Sequence, residues 1–168
     1  MTGESALLTT AEVAVAFAGF ASVVTAFRSR EHDGWAPQDV LRFQLMIASS
    51  LSVVLFALLP FAIDFFGASE SRVWASASCV LGLYLALSLA LVARRTSSLT
   101  ARSVLNRYIA WSFGVGALIA LSLQALNALG VVFERELGPY FLGLLYLLVL
   151  AGISFARMLP IGVRMEGE

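Results

Sequence analysis

Along the chain, long apolar runs alternate with short polar breaks. Residues 43–63, 73–93, 108–133 and 137–156 carry no charged side chain, and residues 5–27 carry only Glu12. A helix crosses about 30 Å of hydrocarbon with roughly 20 mainly apolar residues, and each run reaches that length. The runs are apolar on every side, unlike the two-residue alternation of a membrane strand. The pattern therefore predicts an all-α, polytopic transmembrane helical bundle. Its five spans lie at about residues 5–27, 41–65, 73–93, 108–129 and 138–157, within a single integral membrane domain over 1–168.

The breaks at 28–37, 67–72, 94–107 and 130–139 read as polar connectors between antiparallel helices. Pro37 and Pro139 suit the first turn of a helix, where the amide hydrogen that proline lacks would have no intrahelical partner. Cytoplasmic loops accumulate positive charge. Placing the first connector inside puts Arg28, Arg30, Arg42, Arg94, Arg95, Arg102, Arg107, Arg157 and Arg164 at cytoplasmic ends and leaves Arg72 and Arg135 outside. The expected orientation is N-terminus outside and C-terminus inside. Trp35, Tyr108 and Trp111 then fall near the inner interface, and Trp74 and Tyr140 near the outer one. A reporter fused after Glu168 or within 94–107 should read cytoplasmic, and one within 67–72 or 130–138 should read on the opposite side. Opposite readings at either pair would overturn the orientation. No basic residue precedes Arg28, whereas Glu4 and Glu12 are acidic, so the first run is expected to be a permanent span rather than a signal peptide.

Composition strengthens the membrane reading and removes some partners. Hydrophobic residues make up 60% of the chain and charged ones 13%, against about a quarter charged in an ordinary soluble domain. Too few polar side chains remain to coat a soluble surface. With zero formal net charge and no basic run, no nucleic-acid footprint is expected. The expected partners are the lipid bilayer and a second copy or another membrane protein. All eleven basic residues are Arg, a usage associated with GC-rich bacterial genomes, so the expected location is a bacterial inner (cytoplasmic) membrane.

In lipid, helices associate by close packing, and small residues three and four apart mark contact faces. The first span offers Ala11, Ala14, Ala18 and Ser22, with Glu12, Ala16 and Gly19 beside them. The third offers Ala75, Cys79, Gly82, Ala86 and Ala90. The fifth is rich in Leu (Leu144, Leu145, Leu147, Leu148 and Leu150) and is expected to be peripheral and lipid-facing. The fourth repeats Tyr108, Ser112, Gly116, Ala120, Gln124 and Asn127 as one polar and small face. The amides of Gln124 and Asn127 need partners, because hydrocarbon holds no water.

Glu12 lies about seven residues, roughly 10 Å, inside its span. An acid at a span centre costs on the order of 2.5–3.5 kcal/mol and is a functional candidate by default. Asp64 sits near the end of the second span, one turn beyond Pro60, whose ring frees the Phe56 carbonyl. These groups share the outer half of the membrane. The expected binding residues are Glu12, Asp64, Gln124 and Asn127, lining an outward-facing polar cavity of a channel or carrier. Alternatively, Glu12 fastens its helix by hydrogen bonds to Gln124, Asn127 or a serine, and the chain is a non-transporting accessory or scaffold subunit that binds other membrane proteins.

Nothing points to catalysis. The one histidine, His32, falls in a polar connector and reads as a solvated loop residue. Cys79 is the one cysteine, so neither a His-rich nor a multi-cysteine metal site can form. Hydrolase, metalloprotease, phosphate-loop and dinucleotide signatures are absent from the sequence. Neither a catalytic residue, a metal nor a cofactor is expected.

Overall fold

The computed structural model describes residues 3–28, 37–96 and 104–157. His32, Trp35, Arg30, Arg102 and Arg164 lie outside the described residues. Within them the chain is all-helical, with no strand. The helices are α1 (Glu4–Arg28), α2 (Pro37–Phe65), α3 (Glu70–Thr96), α4 (Val104–Leu129) and α5 (Leu137–Ala156). All five are long and apolar enough to cross a membrane, as a multi-pass membrane protein requires. Each predicted span falls on one of them. The helices run a few residues further into the polar connectors at several ends, because backbone hydrogen bonding continues where hydropathy falls. Pro37 is the first residue of α2 and Pro139 lies in the first turn of α5.

Sequential helices are antiparallel, so the start of α1, the end of α2, the start of α3, the end of α4 and the start of α5 meet at one end of the bundle. The turns there are short. Gly130 closes α4 at φ +70°. Its amide donates to the carbonyls of Leu126 and Asn127, and the Val131 amide donates to Leu126. This is the glycine-terminated pattern that satisfies the last carbonyls of a helix. A side chain at that φ would be strained. Gly67, at φ +76°, plays the same part after α2, where its amide donates to the Asp64 carbonyl.

The fifth helix corrects one expectation. It is not peripheral: α5 packs against every other helix, whereas α1 touches only α2 and α5, and α4 only α3 and α5, among the described residues. Its buried face is Pro139, Tyr140, Gly143, Leu144, Leu147, Ala151 and Ser154. Leucine is as compatible with lipid as with a neighbouring helix, so a Leu-rich composition does not decide which way a span faces. What draws α5 inward is its small and hydrogen-bonding groups. Gly116 of α4 lies against the ring of Tyr146, so that a Cβ there would come within 2.9 Å of it. The Tyr146 hydroxyl then donates to the Phe113 carbonyl at 3.0 Å.

Tyr140 and Trp74, near the starts of α5 and α3, turn inward. They are 0% and 2% exposed and pack on each other with ring centroids 5.9 Å apart. Trp111, 70% exposed, does face outward. The Tyr140 hydroxyl donates to the Phe56 carbonyl, the acceptor that Pro60 leaves without its helical donor. Small-residue faces fare unevenly. Ala11, Ala14 and Ala21 of α1 are buried, but on α3 only Gly82 of the expected stripe is fully buried, while Cys79 and Ala90 are exposed. The face of α3 that is used is Val73, Trp74, Ala77, Ser78, Leu81 and Leu85.

Candidate functional site

Gln124 and Asn127 lie on the inward face of α4, as the spacing predicts, and both are 0% exposed. Asn127 spends its amide on the start of α5. Its Nδ2 donates to the Ser78 hydroxyl at 2.8 Å and to the Glu136 carbonyl at 2.9 Å, and its Oδ1 accepts from the Glu136 amide at 3.0 Å. Glu136 is the N-cap residue of α5 and makes no side-chain cap hydrogen bond. One side chain therefore ties α3, α4 and the entry to α5 together, and the Glu136 amide finds an acceptor within the protein.

One turn deeper, Gln124 Nε2 donates to the Pro139 carbonyl at 2.7 Å. The amide fits because two glycines face it. A Cβ on Gly143 would lie 2.6 Å from Nε2, and one on Gly82 would lie 3.2 Å from the Gln124 Cβ. Gln124 Oε1 is buried with no hydrogen-bond partner. These contacts account for both amides as fasteners between helices, a use that polar residues serve in membrane bundles.

The two acids lie elsewhere. Glu12 is exposed on α1, and α1 has no close contact with α4 among the described residues. Glu12 thus meets neither Gln124 nor Asn127. Asp64 is exposed at the end of α2, and Arg72 turns to the Ser69 hydroxyl at 3.1 Å. The four expected residues therefore fall into a buried pair and two separated exposed acids.

A cleft of about 420 Å³ opens between the start of α3 and the α4–α5 turn, lined by Glu70, Trp74, Glu134, Arg135, Glu136 and Leu137 among others. None of the four expected residues lines it. Among the described residues no group of three or more His, Cys, Asp or Glu side chains could hold a metal ion. At the opposite end of the bundle, burial and then the charge of Arg42 hold the Arg157 guanidinium below its usual range. The residues that tie the helices together include Tyr140, whose role sequence reasoning missed. The available signal was the Phe56 carbonyl freed by Pro60, which calls for a donor without naming it.

Comparison with protein-family models, curated proteins and solved structures gave no match.

Proposed function

We propose that this chain is a non-catalytic, non-transporting accessory subunit that holds another membrane protein against its first helix. The observation that carries this reading is the division of the polar groups. The amides of α4 are engaged inside the bundle, while Glu12, on a helix that does not touch α4, faces outward. A channel or carrier built on these residues would need them around one cavity. The outward face of α1 instead suits a neighbour within the bilayer.

The proposed orientation keeps the start of α1 on the outer side of a bacterial inner membrane. Glu4, Asp64, Glu70, Glu134 and Glu136 belong to that end of the helices together with Arg72 and Arg135, against Arg28, Arg42, Arg94, Arg95 and Arg157 with Asp39 at the other.

Site-specific photo-crosslinking in native membranes tests the function. A photoreactive residue at Ala16, exposed on α1, should give one discrete adduct with another protein, and the same residue at Leu83, exposed on α3, should give lipid adducts. Lipid adducts alone at Ala16, together with proton or cation flux in proteoliposomes that is lost in Glu12→Gln, would restore the carrier reading in its place.

A further inference from the structure

We propose that the outward face of α1 receives a transmembrane helix of a different protein carrying an Arg or Lys at the depth of Glu12. This rests on the accessory reading above and names the chemistry of the partner. Ser5, Thr9, Glu12, Ala16 and Gly19 follow one another at four, three, four and three residues, and all are exposed. That period is the seam of two helices crossing at a shallow left-handed angle. The residues flanking Glu12 toward the helix end are small: Ala16, then Gly19, where a Cβ would meet nothing within 4 Å. A second backbone can approach closely along such a face.

Glu12 decides what that backbone carries. It lies about 12 Å into α1 at about 1.5 Å per residue, within the apolar stretch Glu4–Ala21, where a carboxylate on an outward face meets hydrocarbon unless an opposite charge covers it. A second copy of this chain does not supply that charge. Two α1 helices in the same orientation would set Glu12 against Glu12. The basic residues within the span windows stand at their ends or first turns, as Arg42, Arg72 and Arg94 do. Arg72 lies about 3 Å into its helix, whereas Glu12 lies about 12 Å into its own, at about 1.5 Å per residue. Arg72 is also bonded to Ser69. Charge complementarity therefore points to a different chain with a cation at the depth of Glu12.

The test uses the full-length protein, labelled with a donor fluorophore at the exposed Cys79, in phosphatidylcholine–phosphatidylglycerol vesicles. Acceptor-labelled synthetic Leu/Ala transmembrane helices carry Arg, Leu or Glu about 12 Å from one end, in two versions counted from either end, so that the depth matches in either orientation. Energy transfer should show the Arg helix binding at least tenfold more tightly than the Leu helix. The preference should fall below twofold in Glu12→Leu, and when the peptide Arg is moved two turns toward its nearer end. The second comparison uses the wild-type protein alone, so a poorly folding variant does not remove the test. Equal binding of the Arg and Leu helices, or a preference that survives Glu12→Leu, would overturn the proposal. So would transfer between two labelled copies that Glu12→Leu abolishes, because the occupant would then be a second copy. If the Ala16 photo-adduct persists in Glu12→Leu, this inference fails while the accessory reading stands; if no adduct forms in either protein, both fall.

Discussion

Asn127→Leu is expected to destabilise the bundle by about 2–4 kcal/mol. The side chain makes three hydrogen bonds, to Ser78, to the Glu136 carbonyl and from the Glu136 amide. Interhelical hydrogen bonds in membranes average about 0.6 kcal/mol each, and a buried donor left unpaired adds about 1–3 kcal/mol. Leucine of similar size restores none of the partners. Reversible unfolding in mixed micelles would measure the loss, and helix content should stay near wild type. The 130–136 turn should become sensitive to protease, since Asn127 is what fixes the entry to α5. A loss below about 1 kcal/mol with the turn still protected would show that the Asn127 clamp is dispensable.

The second large effect belongs to Tyr140 and depends on Pro60. Proline at that position removes the donor that the Phe56 carbonyl would otherwise find four residues on, and Tyr140 supplies one from α5. Tyr140→Phe should therefore cost about 1–2 kcal/mol, near the usual figure for a buried hydrogen bond with its acceptor left unpaired. In a Pro60→Ala background the helix can donate to Phe56 itself, and the same Tyr140→Phe change should cost less than about 0.5 kcal/mol. The double-mutant cycle isolates this coupling. A Tyr140→Phe penalty equal in both backgrounds would mean that the hydroxyl contributes nothing specific at Phe56.

The spans were legible because length and hydropathy are properties of one helix at a time. The inward direction of Gln124 and Asn127 was legible too, since neither can be left in lipid, although Ser112, on the same expected face of α4, is exposed. The vacancy at Phe56 follows directly from Pro60. The facing of the other helices was not legible for the same physical reason throughout. In lipid, apolar side chains gain little by moving from a tail to a neighbouring helix, so Leu144 and Leu147, buried on α5, look no different in sequence from Leu142, which is exposed. The contact face of α3 is decided by what fits against Gln124 and Tyr140, on helices further along the chain. Glu12 was recognisable as an acid within a span, but its direction depends on which side of α1 meets α2 and α5. That side carries Ala11, Ala14 and Ala21, and the adjoining face holding Glu12 has the same small-residue spacing.

The central place of α5 bears on how the molecule is made. It follows the other four helices in the chain, and so reaches the bilayer after them. Until it arrives, the Phe56 carbonyl has no Tyr140, Gln124 has no Pro139 carbonyl, Asn127 has no Glu136, and the space beside Gly116 has no Tyr146 ring. An assembly intermediate of α1 to α4 therefore holds two amides and a carbonyl without their final partners in hydrocarbon, where each is costly to leave unpaired. The lifetime of such an intermediate is set by how quickly α5 enters the bilayer and docks.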